Sequence, residues 1–310
     1  MKVAIVGQQD FGKAVLEAFL ARGDQVAGVF CAPEKPGERP DALRTAAQEK
    51  GVKLFQFPSL KNAEAKAALQ GLDVQIGVMA FVLQFALQDF VNIPKHGTIQ
   101  YHPSLLPKYR GPSSINWPIS RGETQTGLTI FRPTDGLDEG PIILQKMTPI
   151  GPEDTLGTVY FDRLFPMGVQ ALLEAADLVV AAKHREQVQD ESLASYEGWF
   201  REAEARINWA NHVDVAHNLI RACNPAPGAW TTLNGTKLQV FDCRKIPVRT
   251  FGAVKGKIGE VVECGPASFQ VTAQGGRIEV LRAKLGDGKK LAAGEMLAAG
   301  SIKAGQLLGT

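Results

Sequence analysis

Short apolar runs alternate with amphipathic segments over the first 150 residues of the chain. The run KVAIV at 2–6 is bounded by glycine and has the continuous apolar character of a parallel strand buried on both faces. The segment 11–22 has helical spacing, with Val15, Leu16, Phe19 and Leu20 on one side. Further strands are predicted at 25–30, 53–57, 74–80, 97–102, 126–133 and 141–150, and further helices at 41–50, 60–70 and 84–90. This alternation predicts an α/β domain with a mostly parallel sheet and right-handed crossovers.

The pattern changes in the second half of the chain. Asp154 or Thr155 is predicted to cap a long helix that runs to about residue 183 and is kinked by Pro166. Residues 184–206 are charged and irregular, with at most one helical turn, and a further helix is predicted at 212–222. Short strands then follow at 238–243, 256–264, 268–273 and 277–284, separated by Gly and Pro. We therefore predict a catalytic domain at 1–183, a linker at 184–206 and a small β barrel at 207–310.

The bulk composition is that of an ordinary soluble protein. The chain has 310 residues, of which 45% are hydrophobic and 21% are charged, and this length suits two domains of about 150 residues each. The apolar runs fall short of the ~18 residues of a membrane span, and the N-terminus lacks the features of a signal peptide, so a cytoplasmic protein is expected. The four cysteines form no C-x-x-C pair and the five histidines form no ligand motif, so we expect neither disulfides nor a metal site.

Charge is distributed unevenly along the chain. The net charge is +2, but 13 Lys and Arg against 7 Asp and Glu lie from residue 207 onward. A basic region of this kind can meet an anion such as RNA or a polyglutamate tail. The same excess can simply keep a small β domain soluble, and the composition leaves both interpretations open.

A glycine-containing turn, GQQDFG at 7–12, lies between the first predicted strand and the first predicted helix. A dinucleotide fingerprint needs a second glycine where Gln9 stands, because that glycine lets the pyrophosphate approach the backbone. The second strand also ends at Cys31, without the acidic residue that would bind a ribose. We therefore expect no NAD cofactor and interpret the stretch as a tight turn into the helix.

A histidine and a distant aspartate stand at the ends of neighbouring predicted strands. His102 ends the strand GTIQYH, and Asp138 lies in TDGLDEGP, which joins the next two strands. Ligands of open α/β sheets bind outside the carboxyl ends of the strands, where these residues are expected to meet. A carboxylate beside an imidazole fixes its tautomer, and such a pair can move protons and stabilise an oxyanion in acyl-type transfer. By pattern alone, a buried structural histidine and an ordinary turn remain open.

The run HPSLLPKYRG at 102–111, followed by GLDEG at 136–140, resembles the folate-dependent formyltransferase family. That family includes methionyl-tRNA formyltransferase, amino-sugar N-formyltransferases and the N-terminal hydrolase domain of 10-formyltetrahydrofolate dehydrogenase. The stretches RINW at 206–209 and NPAPGAW at 224–230 resemble the start of its C-terminal domain. The resemblance thus covers nearly the whole chain. It implies a Rossmann-like, mostly parallel sheet domain followed by a small OB-like β barrel, with 10-formyltetrahydrofolate bound at the strand ends.

The resemblance also carries over to individual site residues. It implies that His102 and Asp138 are the catalytic core, and that two segments line a pterin pocket. These are Phe81, Val82, Leu83, Gln84 and Phe85 in the first segment and Thr134, Asp135, Gly136 and Leu137 in the second. From the residues alone, the first segment is a strand end entering an amphipathic helix, with Phe81 and Phe85 in the core. Both interpretations are compatible, because this pocket binds the pterin largely through backbone groups.

One position departs from the family pattern. Most transferases of the family carry Asn two residues before the histidine, where this chain has Gln100. Gln offers the same amide donor on a side chain that is one methylene longer. Gln100 is therefore a third candidate catalytic residue, as a donor to the oxyanion.

The acceptor of the formyl group is the remaining question. The tRNA-modifying members carry a Lys- and Arg-rich insertion after the second strand, whereas the segment 31–41 here is short and contains acids as well as bases. Together with SINW at 114–117, this resembles the hydrolase domain and favours water or a small amine as acceptor. Initiator methionyl-tRNA is the alternative, which the basic C-terminal region favours. A non-catalytic folate- or RNA-binding protein is the second alternative, against which the intact His102 and Asp138 argue.

Overall fold

The first apolar run of the chain, Lys2–Gly7, forms strand β1 inside a seven-stranded sheet of the computed structural model, which describes residues 1–250, 252 and 254–309. The other strands are β2 Gln25–Cys31, β3 Leu54–Gln56, β4 Ile76–Ala80, β5 Thr98–His102, β6 Gln125–Phe131 and β7 Ile142–Pro149. Their order is β3-β2-β1-β4-β5-β6-β7. Strands β1 to β5 pair in parallel, and β6 runs antiparallel to β5. The predicted α/β class with a mostly parallel sheet is confirmed.

Helices follow the strands as the alternation predicted. They are α1 Gln9–Ala21, α2 Ala42–Glu49, α3 Ala63–Gln70, α4 Gln88–Val91, α5 Asn116–Ser120, α6 Leu156–Val159, α7 Phe165–Val180, α8 Val213–Ala222 and α9 Ala293–Ala298. Three of the four predicted apolar residues of α1, Val15, Leu16 and Phe19, are buried, and Leu20 is partly buried. The Phe11 ring of the same helix lies 4.4 Å from the Tyr101 ring, centroid to centroid. Helix α4 begins four residues later than predicted, and the residues before it line a pocket described below.

The long helix predicted from residue 154 or 155 is irregular. The Thr155 side chain caps its start, accepting a hydrogen bond from the Thr158 backbone in a capping box. A π-helical turn at Tyr160–Leu164 then separates α6 from α7, and Pro166 lies in the first turn of α7. Proline is tolerated in a first helical turn because the missing N–H has no partner there. The irregularity predicted at Pro166 therefore takes the form of a π turn just before it.

A second, antiparallel sheet occupies the C-terminal part of the chain. Its strands are β8 Ala229–Leu233, β9 Thr236–Pro247, β10 Val261–Cys264, β11 Phe269–Ala273, β12 Gly276–Leu285 and β13 Leu291–Ala292. The order is β10-β11-β12-β9-β8, with β13 paired to β12. Leu307 bridges to Glu260 beside β10, and Leu308 bridges to Leu233 in β8, so both edges are joined by the end of the chain. The predicted β domain at the C-terminal end is confirmed, its sheet is antiparallel, and its OB-like character stays a prediction.

The chain divides into two compact units, each assembled from separate segments. The first comprises residues 1–111, 127–148 and 163–196, and the second comprises 112–126, 149–162 and 197 onward. The predicted domain limits at 183 and 207 stay a prediction. A 3₁₀ turn lies at Glu191–Leu193, within the predicted linker. None of the helices in the described part of the chain has the length and apolar character that a membrane span needs.

Candidate active site

His102 is the last residue of β5, at the carboxyl edge of the parallel strands, and is 5% exposed. Its Nε2 lies 2.8 Å from the backbone oxygen of Tyr109, and its Nδ1 lies 3.5 Å from Oδ2 of Asp138. A carbonyl oxygen can only accept, so Nε2 carries a proton and Nδ1 faces the carboxyl group. The structure thus brings the predicted histidine and aspartate together across 36 residues of sequence, in a pair that is shielded from solvent.

The loop after His102 is held by hydrogen bonds along its length. The Ser104 hydroxyl donates to the Lys108 backbone oxygen at 2.7 Å, and the Leu106 backbone N–H donates to the Thr129 hydroxyl at 3.1 Å. Tyr109 adopts a left-handed backbone with φ of 58°, and its N–H donates to the Ser195 hydroxyl at 2.8 Å. The carbonyl group that orients His102 is therefore fixed by partners on both sides.

Asp138 lies in the loop between β6 and β7, is 7% exposed and also has a left-handed backbone, with φ of 56°. Its Oδ2 accepts a hydrogen bond from the Gly111 N–H at 2.9 Å. Its backbone oxygen accepts one from the Gln189 side chain at 2.8 Å. Both the carboxylate and the backbone of Asp138 are thus oriented by residues distant in sequence.

A pocket opens beside this pair at the carboxyl ends of β4 and β5. Its lining residues are Met79, Val82, Leu83, Gln84, Phe85, Ala86, Gln100, Phe131, Pro133, Thr134, Gly136, Leu137 and Asp138. The walls are mostly apolar, with a few convergent polar groups, which is typical of a small-molecule site. One of these polar groups, the Thr134 hydroxyl, is buried without a hydrogen-bond partner among the described residues. Such a group is unusual in a folded protein.

Most, but not all, of the predicted folate-binding residues line this pocket. Val82 to Phe85, Thr134, Gly136 and Leu137 do, and so does Gln100. Asp135 instead accepts a hydrogen bond from the Gln88 N–H at 2.9 Å, at the start of α4. Phe81 is not a lining residue and has a left-handed backbone with φ of 59°.

The alternative that Phe81 and Phe85 belong to the core is wrong. Their side chains are 38% and 42% exposed. The physical reason is that β4 ends at Ala80 and the chain turns away at Phe81, so the following residues leave the sheet before α4 begins. The segment forms a wall of the pocket rather than a helix packed on the sheet.

The glycine turn after β1 is closed by a carboxylate of the chain itself. Both oxygens of Asp41 accept from the Gln9 N–H at 2.9 Å, at the start of α1. A Cβ atom at Gly7 would lie 2.1 Å from the Ala80 backbone oxygen, so the first glycine permits close packing of β1 against β4. These contacts support the interpretation of this stretch as a tight structural turn.

The structure adds residues that the sequence did not single out. Arg110 is 1% exposed and pairs with Gln189 and Glu191, and the Tyr196 hydroxyl donates to the Leu137 backbone oxygen at 2.7 Å. The hydrogen bond with Glu191 raises the pKa of Arg110, and burial raises the pKa of Tyr196. The stretch YEG at 196–198 resembles the hydrolase domain, but residues 189–195 show no motif in the sequence, so only the fold connects them with the site. Among the described residues, no group of three or more His, Cys, Asp or Glu side chains is arranged to hold a metal ion.

Comparison with known proteins finds a matching family for both parts of the chain. Residues 1–176 match the family described as Formyl transferase, and residues 200–300 match Formyl transferase, C-terminal domain. Mitochondrial 10-formyltetrahydrofolate dehydrogenase from Mus musculus is 39% identical over 246 residues, covering 78% of this chain and 26% of the relative. The chain therefore spans about a quarter of the length of the dehydrogenase it matches.

A second relative matches from end to end. Methionyl-tRNA formyltransferase from Geotalea uraniireducens (strain Rf4) is 31% identical over 314 residues, covering 100% of this chain and 98% of the relative. Among solved structures, the N-formyltransferase from Helicobacter canadensis in complex with folinic acid and dTDP-3-aminofucose has a TM-score of 0.68 at 20% identity, covering 94% of this chain and all of that one. This last likeness shows the fold alone.

Proposed function

The chain belongs to the formyl transferase family, and on this premise we propose that it removes the formyl group from N10 of 10-formyltetrahydrofolate and passes it to water or a small amine. The observation that carries the proposal is the His102–Asp138 pair at the edge of a pocket lined by residues 82–86, 133–134 and 136–138. The apolar walls suit a bicyclic ring, and the Thr134 hydroxyl is a polar partner for its edge.

The reaction follows from the orientation of the pair. The acceptor attacks the formyl carbon, which becomes tetrahedral and carries an oxyanion. In this step His102 acts as the imidazolium: its Nε2–H donates to the Tyr109 oxygen, and its Nδ1–H donates to the oxyanion, with the amide of Gln100 as a second donor. Asp138 orients the ring and relays a proton towards N10. The bond from carbon to N10 then breaks, its electrons and one proton go to N10, and the products are tetrahydrofolate and formate or an N-formyl amine.

Two different observations bear on the acceptor. The greater identity to the dehydrogenases and the short segment after β2 support water or a small amine. The full-length match to a methionyl-tRNA formyltransferase and the basic C-terminal region support initiator tRNA as the second candidate. A non-catalytic folate- or RNA-binding protein is the third, and an active His102–Asp138 pair would exclude it. A cytoplasmic location belongs to the same proposal.

The test measures formate and tetrahydrofolate released from 10-formyltetrahydrofolate without acceptor, beside parallel reactions with amines and with charged initiator tRNA. Prompt formate without acceptor supports a hydrolase, and formylation of tRNA supports the second candidate. Salt-dependent tRNA retention without any transfer would support the binding-only alternative.

Substitutions in the pair test the catalytic assignment. Asp138→Asn and His102→Ala are each expected to lower turnover at least a hundredfold, while folinic acid binds within about threefold of the unchanged protein, because His102 does not line the pocket and Asn keeps the size of the Asp138 side chain that does. Asp287→Asn and His96→Ala, which lie away from the pocket, are matched controls. Retained turnover in Asp138→Asn or His102→Ala would remove these residues from the mechanism.

A further inference from the structure

The backbone of Asp138 has a left-handed conformation. This conformation costs energy for a residue with a Cβ atom, less for Asp than for most, and surrounding contacts stabilise it. The Gly111 N–H contacts only the carboxylate of Asp138. The backbone of this loop therefore needs another partner, and that partner lies about 50 residues further along the chain.

Gln189 is this partner. Both the nitrogen and the oxygen of its side-chain amide make two hydrogen bonds. Its Nε2 donates to the backbone oxygens of Asp138 at 2.8 Å and Gly140 at 2.7 Å. Its Oε1 accepts two hydrogen bonds from Arg110, from Nη2 at 2.8 Å and from Nε at 3.2 Å. If the amide were flipped, its N–H groups would face the N–H groups of Arg110 and its oxygen would face the backbone oxygens of Asp138 and Gly140. Arg110 therefore determines which end of the amide contacts Asp138. Gln189 is 4% exposed, so water does not compete for these bonds.

Three consecutive residues connect Gln189 with both members of the catalytic pair. The Tyr109 oxygen accepts from His102, the Arg110 side chain binds Gln189, and the Gly111 N–H donates to Asp138. Glu191 completes the arrangement by accepting two hydrogen bonds from the Arg110 guanidinium, at 2.6 and 3.0 Å. The same short stretch of backbone thus positions the imidazole directly and the aspartate through Gln189.

We propose that Gln189 is a positioning residue, whose side-chain amide keeps the backbone of Asp138 in register with residues 109–111 and thereby sets the separation between Asp138 and His102. Gln189 does not line the pocket and contacts no reacting atom, so its effect passes through Asp138. The kinetic part of this inference rests on the proposed function.

Two substitutions distinguish the hydrogen bonds that the Gln189 amide donates from those that it accepts. Gln189→Met removes all four hydrogen bonds at similar volume, whereas Gln189→Glu keeps an acceptor for Arg110 and loses both donors to the loop. Both are expected to lower kcat at least tenfold, because a displacement of about 1 Å in a catalytic group is enough for such a loss. The dissociation constant of folinic acid should change less than threefold. Asp190→Asn is the control, since the Asp190 carboxylate accepts its hydrogen bonds from Ser192 and makes none of the contacts described above, and it should change kcat less than twofold.

A double-mutant cycle with Asp138→Asn distinguishes positioning from a general structural role. If Gln189 acts through Asp138, adding Gln189→Met to Asp138→Asn should not lower the residual turnover further. An unchanged kcat in both Gln189 variants would overturn the proposal. A full additional loss in the double variant, or folinic acid binding weakened as much as kcat, would overturn it equally. If Gln189→Met does not fold, the same cycle is run with Gln189→Glu.

One readout does not depend on any substrate. The ¹⁵N chemical shifts of the His102 ring at fixed pH report which nitrogen carries the proton, and His102→Ala assigns the signals. In Gln189→Met, the Nδ1 shift is expected to differ from that of the unchanged protein, while in Asp190→Asn it should not. An identical Nδ1 shift would count against positioning by Gln189 even if no formyl transfer were found, whereas absent transfer with an altered shift would reject only the proposed function.

Discussion

The fold places Gln100 at the pocket, but its position alone does not decide whether it takes part in catalysis. It stands two residues before His102 on β5, so both side chains point to the same face of the sheet, and its amide reaches the pocket. Its extra methylene, compared with the Asn of most family members, changes how far the amide extends. Whether it donates to the oxyanion is therefore a question of kinetics.

The substitution Gln100→Leu addresses this question directly. Loss of one oxyanion donor typically lowers kcat by about 10²–10³ fold, because the donor acts mainly in the transition state. We expect a fall of this order in kcat, with folinic acid bound as before. Steady-state kinetics and a binding titration give the two values. Unchanged kinetics would mean that His102 stabilises the oxyanion without Gln100.

Thr134 offers a test in which stability and binding move in opposite directions. Its hydroxyl is buried beside the pocket without a hydrogen-bond partner among the described residues, and such a group costs about 1–3 kcal/mol when left unsatisfied. Thr134→Val removes the hydroxyl at nearly the same volume. The protein should become more stable to heat, and its affinity for folinic acid should fall about threefold to tenfold. A variant that is less stable, or that binds folinic acid equally well, would show that the hydroxyl has no role in the ligand site.

At the scale of the elements, the loop between β6 and β7 depends on two glycines of unequal importance. A Cβ atom at Gly140 would lie 1.7 Å from the Arg132 backbone oxygen, which cannot move without disturbing β6. A Cβ atom at Gly136 would meet the Glu139 carboxylate at 1.6 Å, but that side chain can rotate away. In the GLDEG motif, Gly140 is thus required because a side chain there would clash with the backbone. At Gly136 a side chain would clash only with the movable side chain of Glu139.

This difference predicts an order of stability. Gly140→Ala should lower the free energy of unfolding by about 1–3 kcal/mol and disturb Asp138, whereas Gly136→Ala should cost less. Gly198→Ala is the control, because no atom lies within 4 Å of the added Cβ, and it should stay within about 0.5 kcal/mol of the unchanged protein. Urea denaturation of the three variants gives the comparison. Equal losses at Gly136 and Gly140 would contradict the backbone clash.

Some of these elements and contacts could be predicted from the sequence pattern, and others could not. The buried strand β1 and the amphipathic helix α1 were predictable because their apolar spacing is local and strong. The pairing of His102 with Asp138 was predictable because parallel strands end at one edge of a sheet. Gln189 was not, since its contacts with Asp138 and Gly140 depend on the path of an irregular segment that has no periodicity. The turn at Phe81 was missed because a left-handed phenylalanine has no local signature.

At the scale of the whole molecule, the two units differ in what they bury. The first unit places its buried titratable pair at a pocket, whereas the second unit contains His217 on α8, which is 0% exposed and has both ring nitrogens without hydrogen-bond partners among the described residues. Burial lowers the pKa of His217 to about 4, and the neighbouring charges of Arg221 and Lys245 act in the same direction, against Asp214. The Glu153 carboxylate lies 3.8 Å from Nε2, beyond hydrogen-bond distance.

The second unit should therefore lose stability in mild acid. Because the folded pKa of His217 lies below the ordinary value of 6.5, the unfolded chain takes up the proton more readily. The contribution of neutral His217 is complete above pH 6.5 and declines as the pH falls towards 4, by at most about 3 kcal/mol. In His217→Leu the ring is absent, so the difference in unfolding free energy from the unchanged protein should favour the variant increasingly from pH 7 to pH 4. Titrating carboxylates contribute to both proteins and cancel in this difference. Val215→Leu, an exposed and non-titratable position on the same helix, is the control and should show no such trend. A difference that stays constant over this range would mean that His217 is not buried as the neutral ring in solution.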